Sequence, residues 1–245
     1  ANAPKRRKPK APNWWLGASA YYGLSNVQRN GQADYVAIRA EQETALDLLQ
    51  GGLDLRRRLG KQAFVQTGIY FTQWTDRRTT IFKETYTEMD SNHLVTRILR
   101  SDGSIENVYG PVEIQHIRTL TQEQYNRYRH LEVPILAGLS LPVGTRWRFD
   151  VSAGPVIGLL GTRSGVVQRV SGMGTQPLSD APYRNSATIA GTVRLEWLYA
   201  TRDWSAGIGI MGRTALNDWA KANPYFSEKR SAIGAGVVFR RALGR

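Results

Sequence analysis

Few side chains in this sequence could carry covalent or acid–base chemistry. There are three histidines, His93, His116 and His130, and no cysteine, so thiol nucleophiles, disulfides and thiolate-bound metals are excluded. His130 stands two residues before Glu132. In a strand that spacing puts both on one side, where an imidazole and a carboxylate can work as an acid–base pair. Hydrolysis would also need a nucleophile and an orienting group within reach. The sequence has no Gly-x-Ser-x-Gly, no metal-like histidine spacing and no phosphate-cradling glycine motif. The expectation is therefore a protein that is not an enzyme, with no catalytic residue, no cofactor and no metal. His130 reads as a satisfied interior histidine, and an enzyme modifying lipid or peptide is the least favoured reading.

The other recurring chemistry is charge at two-residue spacing: Asp54 with Arg56, Arg148 with Asp150, and Arg194 with Glu196. The stretch "RWRFDVSAGPVIGLLG", from Arg146 to Gly161, shows the setting. Trp147, Phe149, Val151, Ala153, Pro155 and Ile157 share one side, and Arg148, Asp150, Ser152, Gly154, Val156 and Gly158 share the other. A soluble sandwich would turn the apolar side to its core; a membrane barrel would turn it to lipid and its charges to the lumen.

The elements carrying these residues decide between the two. Period-2 segments run at 13–24, 45–57, 62–74, 128–141, 146–158, 187–199, 204–214 and 230–240, each near the length that a tilted membrane strand needs. Short turns, "RRLGK", "PVGT" and "ATRD", follow the second, fourth and sixth. Long polar connections follow the others. A sandwich has no reason to collect its long connections at one end, whereas an outer-membrane barrel does so habitually. The predicted fold is all-β: an eight-stranded antiparallel up-and-down transmembrane β-barrel with short periplasmic turns, long extracellular loops and both termini periplasmic.

Aromatic placement points the same way. Trp14, Trp15, Trp147, Trp197 and Trp204, with Tyr199 and Phe239, fall at strand ends on the turn side, as expected of an interfacial belt. Trp74 and Trp219 fall near the opposite rim and would begin a second belt. Extending the alternation places Asp54, Arg56, Glu132, Arg148, Asp150, Arg194, Glu196 and Arg213 inside, together with Gly17, Gly52, Gly68, Gly138, Gly154, Gly207, Gly234 and Gly236. Four acids then meet four arginines, with glycines leaving room for guanidinium groups, in a lumen that an eight-stranded barrel leaves only wide enough for side chains. A charge-paired plug is expected. Glu132 is expected to pair with an inward arginine, first of all Arg148 across the hairpin, with Arg194 or Arg213 as substitutes.

Composition fits this reading. The 245 residues include 24 glycines, 7 tryptophans and 11 tyrosines. Mean hydropathy is −0.40, and no apolar run approaches the roughly 20 residues of a spanning helix. The net charge of +13 owes five charges to "KRRKPK" at 5–10. Most other basic residues lie scattered in loops instead of lining one face, so nucleic acid is not expected as a partner. The expected organisation is a basic, proline-rich tail or linker at 1–12 without an apolar signal core, a barrel over 13–240, and a short tail at 241–245.

The segment Tyr128 to Gly158, "YRHLEVPILAGLSLPVGTRWRFDVSAGPVIG", resembles the central hairpin of the small outer-membrane β-barrel domain, porin-like or OmpA-like, that is common in Bacteroidota. There a Tyr-x-x-Leu-Glu-Ile-Pro-Leu-like strand leads through a short turn into a Gly-rich strand; here the pattern reads Tyr128, Leu131, Glu132, Val133, Pro134, Ile135 and Leu136. The resemblance spans about 13–240. The chain departs from it by ending in "FRRALGR" beyond Phe239 and by a long connection at 75–127. The resemblance implies membrane residence more than any activity.

Two non-enzymatic functions follow. In the first, the barrel is an anchor or scaffold whose loops meet the lipopolysaccharide-type outer leaflet or a surface protein. Residues 75–127, with "TTIFKETYTEM", "HLVTRILR" and "NVYGPVEIQHI" separated by "MDSN" and "SDGS" turn signals, are then expected to form a β-ribbon. In the second, the basic tail is the end of a linker and the barrel closes an envelope-spanning signalling protein.

Overall fold

The computed structural model describes residues 13–169, 174–181, 183, 188–219 and 226–243. Residues 1–12, for which a tail or linker was expected, lie outside them. In chain order come β1 (Trp14–Gly31), α1 (Ala33–Gln42), β2 (Glu43–Arg58), β3 (Ala63–Leu99), β4 (Ile105–Val143), β5 (Trp147–Ser164), β6 (Val166–Gln168), β7 (Thr175–Pro177), β8 (Thr188–Ala200), β9 (Trp204–Ala215) and β10 (Phe226–Leu243). Eight of the strands close a barrel in the order β1-β10-β9-β8-β5-β4-β3-β2, while β6 and β7 pair separately. Every barrel pair with a resolved register is antiparallel, and the closing pair runs unbroken from Trp14 opposite Leu243 to Gly31 opposite Phe226.

Each predicted segment falls on one barrel strand, four of them starting one residue ahead of it, and most of the strands run further. The expected tail at 241–245 begins inside β10, because the strand continues to Leu243. At the turn end, β4 passes to β5 through Gly144, whose φ of 81° is open to glycine at little cost. The first long connection, expected only as a polar loop, holds α1. Its N-terminal turn carries Asp34 and its last turn Arg39, which complement the helix dipole.

The two sides of the wall differ as the solvents require. Along β1 the outward residues are Trp14, Leu16, Ala18, Ala20, Tyr22 and Leu24, followed by Asn26, Gln28 and Asn30. Leu53, Ile69, Ile135, Ile208, Ile233 and Val237 continue the apolar face around the ring, each more than half exposed. In water, so broad an apolar surface would be a liability; against hydrocarbon it is the solvated state. Ring closure leaves no open sheet edge, which is what a backbone immersed in lipid demands. The fold is thus an eight-stranded transmembrane barrel. Among the described residues, no helix is long and apolar enough to cross a membrane.

Residues 79–123 form a compact unit of their own, distinct from the unit of 1–78 and 124–245. They comprise the distal parts of β3 and β4, closed by a turn in which the Arg100 amide donates to the Ser104 carbonyl and the Ser104 amide donates to Asp102. "SDGS" is that turn. "MDSN" is not one, since β3 runs through it. Tyr86 stacks on His116 at 5.2 Å, and His116 lies 3.5 Å from Glu88. His93 faces Asp90 at 3.3 Å.

Candidate functional site

Strand alternation sends one residue in two into the barrel, and there the guanidinium groups meet carboxylates. Nearest the turn end, Arg56 of β2 pairs with Asp150 of β5 and, at 3.2 Å, with Glu196 of β8. Arg56 also donates to Gln66 Oε1 at 3.1 and 2.9 Å and covers the Phe64 ring at 3.7 Å. Arg240 of β10 donates to both Glu196 oxygens, at 2.7 and 2.9 Å, and to Asp54 at 3.3 Å. Gly17 makes this possible: a Cβ there would lie 2.8 Å from Arg240 Cγ and 2.7 Å from an Asp54 oxygen. Each of these charges is buried, and a charge out of water is tolerated only when paired and hydrogen-bonded.

A second level holds Arg194 and Glu132. Arg194 donates to the Tyr70 hydroxyl at 2.9 Å and to Gln50 at 3.2 Å, with the Tyr21 and Tyr70 rings 5.2 and 4.6 Å from its guanidinium carbon. Glu132 accepts from Arg213 through both oxygens at 2.6 Å, a planar fork matched to a carboxylate. The Thr72 hydroxyl also donates to Glu132, at 2.7 Å.

A third level at the loop end had no counterpart in the sequence reading. Arg230 donates to Asp76 at 2.8 and 2.6 Å and to Glu228 at 2.9 Å, under the rings of Tyr128 and Trp219 at 4.0 and 4.9 Å. Arg39 of α1 enters the same cluster, donating to Glu43 at 2.6 Å and Glu228 at 3.1 Å, so the helix is fastened by its one buried cation. Tyr183 donates to Glu228 at 2.8 Å. Burial pushes the Tyr183 hydroxyl well above its ordinary range, so it remains a donor at any physiological pH.

The eight charged residues expected inside, Asp54, Arg56, Glu132, Arg148, Asp150, Arg194, Glu196 and Arg213, all point inward. Their pairing differs in one respect. Arg148 does not reach Glu132; its register places it opposite Pro142, whereas Glu132 stands opposite Gly158. Arg148 instead lies 5.5 Å from the Trp15 ring, and Arg213 takes Glu132 from across the lumen.

The aromatic belt also needs correction. Trp14, Trp147, Trp197, Trp204 and Phe239 face outward, but Trp15 is only 3% exposed and lies inside, near Arg58 and Arg148. Adjacent residues of a strand face opposite ways, so Trp14 and Trp15 could not both meet lipid. Trp74 and Trp219 are buried too, edge-to-face at 5.6 Å inside the loop end, and form no outer belt. His130 packs against Trp219 at 4.8 Å and is not paired with Glu132, whose oxygens are taken by Arg213 and Thr72. Arg240 was the charge that sequence reasoning missed in the first level, although it lies in the predicted segment 230–240 on the same side as Gly234 and Gly236.

Among the described residues, no group of His, Asp or Glu is arranged to hold a metal ion. What the lumen holds is a set of ion pairs that join one strand to another. No protein-family model and no curated protein matches the chain. Among solved structures, it is similar to Neisserial surface protein A (10% identity over 96% of this chain and 100% of that one, TM-score 0.44). It is also similar to the attachment invasion locus protein of Yersinia pestis (10%, 93% and 99%, 0.34) and to the outer membrane protease OmpT of Escherichia coli (6%, 97% and 99%, 0.40).

Proposed function

We propose that the protein is a non-enzymatic outer-membrane barrel, a closed anchor whose partners are met by the segments outside the bilayer. The observation that carries this reading is the cross-linking of the lumen: strands that are not neighbours in the ring are tied by Arg56 to Asp150, Arg240 to Glu196, Arg213 to Glu132 and Arg230 to Asp76. A bore so filled is a load-resisting core, in contrast to the wide lumens of sixteen-stranded porins. The short turns are assigned to the periplasm and the long loops to the outside, on the asymmetry usual in such barrels. The outer leaflet with its lipopolysaccharide-type lipids is the first partner, and residues 75–127 are the surface offered to a second protein.

Planar-bilayer recording of the reconstituted protein tests the closed bore. Expected is no steady ion current above the leak of the lipid. Large, stable single-channel steps would refute the plug and move the function to transport.

A further inference from the structure

Of the four arginines expected inside, Arg56, Arg194 and Arg213 all donate hydrogen bonds to described side chains. Arg148 does not. Its Nε is shut off from solvent without an acceptor, and its guanidinium carbon lies 5.5 Å from the Trp15 ring. A second cation, Arg58, stands 5.4 Å from the same ring. Two like charges thus share one indole, and a guanidinium partly out of water lacks the paired anion that such burial calls for.

Arg148 borders a cavity of about 640 Å³ between the β4–β5 and β8–β9 turns. Arg146 and Arg202 border it too, with Thr145, Trp147 and Tyr199; among the described residues no carboxylate does. Strand pairing brings the arginines together. Trp147 stands opposite Tyr199, and one step further the Ala200 amide donates to the Arg146 carbonyl at 2.7 Å, which sets the Thr201–Arg202 turn beside Arg146. Arg146 Nη1 donates to the Tyr199 hydroxyl at 2.9 Å, an uncharged partner that orients the guanidinium and leaves its charge uncompensated. The rest of this end has the same sign. Residues 57–62, 144–146 and 201–203 carry Arg57, Arg58, Lys61, Arg146 and Arg202 against one acid, Asp203, which lines a different cavity with Trp204 and Arg241. Depth is set by the aromatic belt: Trp147 faces outward, edge-on to Tyr199 at 5.4 Å, and such rings mark the headgroup level of a bilayer. A phosphodiester at that level fits guanidinium forks. A head that also carries an ammonium would bring a further cation among three arginines with no carboxylate in the lining to receive it.

We infer that this cavity seats the phosphodiester of one anionic phospholipid from the leaflet at the turn end, held by half-buried Arg148 and by exposed Arg146 and Arg202. The inference rests on the membrane reading above. It is tested with the full chain in nanodiscs of equal phosphatidylglycerol, phosphatidylethanolamine and phosphatidylcholine, followed by native mass spectrometry of lipid retained on the released barrel. Expected is one preferentially retained phosphatidylglycerol. Arg146→Ala and Arg202→Ala should each weaken retention roughly fivefold, the effect of one basic residue at a membrane surface, and Arg148→Ala should weaken it further. Lys61→Ala removes a charge from the same end but not from the cavity, and should retain the lipid as the wild type does. Equal retention of the three lipids, a preference for either zwitterionic one, wild-type retention by Arg146→Ala and Arg202→Ala, or an equal loss in Lys61→Ala would overturn the site. Displacement of the lipid by inorganic phosphate at constant ionic strength would make the ligand a free anion and overturn the lipid assignment. Heat-modifiable migration of each variant is read in parallel. Arg202 lies in an exposed turn, so its variant carries the test where Arg148→Ala fails to fold. Absence of heat-modifiable migration from the wild type would instead overturn the membrane reading.

Discussion

At the scale of single residues, the lumen tests how costly an unpaired buried charge is. Glu132 and Arg213 have side chains 1% and 3% exposed and share two 2.6 Å bonds. Removing one partner leaves the other charged and dry, so Glu132→Ala should destabilise the barrel by about 3–5 kcal/mol. Replacing both by methionine fills similar volume without charge and should recover most of that loss. Urea unfolding of the reconstituted protein, followed by tryptophan emission, measures both. A loss below about 1 kcal/mol in the single variant would mean that water reaches the pair, as at exposed ion pairs. Alternation alone was enough to turn Glu132 inward, because a period of two admits only two faces. Its partner was illegible. Hairpin proximity suggested Arg148, but Arg148 sits near the turn, opposite Pro142, far down the strand from Glu132. Arg213 meets Glu132 through tilt and curvature across the bore, which no local pattern records.

At the scale of elements, hairpin asymmetry and period made all eight barrel strands legible, while α1 and the β6–β7 pair escaped. α1 was hidden because its sequence, "ADYVAIRAEQ", has a narrow apolar face and follows a strand without a side-chain cap; Arg39 buries itself there through Glu43, its i+4 neighbour at the helix C-cap, and through Glu228, which is remote in sequence. Such tertiary pairing overrides weak propensity. Within 79–123 the strands continue through "MDSN", since Asp90 can serve Asn92 and His93 with hydrogen bonds without turning the chain. The division of the chain into two compact units gives an element-scale prediction. Residues 63–78 and 124–143 carry the lumen groups Phe64, Gln66, Tyr70, Thr72, Asp76 and Glu132, all within the barrel unit. Replacing 79–123 by a short Asn-Gly turn should therefore leave the barrel folded, with unfolding midpoint shifted little, because shortening a loop lowers closure entropy only slowly with length. Loss of the folded form in that deletion would make the ribbon a necessary part of the barrel and not an appendage on which a partner could act.

At the scale of the whole molecule, two solvents act on one sheet. The outer face is apolar from Leu16 to Leu24 on β1 and from Ile233 to Phe239 on β10, and the inner face is polar or small at the same levels. Turning the sheet inside out is forbidden at every strand at once, because one step of register would carry the arginines into lipid. Closure then removes the last unsatisfied backbone edge, so opening any strand pair exposes amides and carbonyls to hydrocarbon together with lumen charges. Unfolding should be all-or-none and slow. In detergent, the unheated protein should accordingly keep its compact barrel during electrophoresis and migrate faster than its calculated 27.4 kDa, moving to the full-length position only after boiling. The shift should persist in high salt, because the ion pairs lie inside, beyond the reach of screening. Full solubility without detergent, with one band whatever the heating, would mean that the apolar outer face is covered by protein instead of lipid and would end the transmembrane reading.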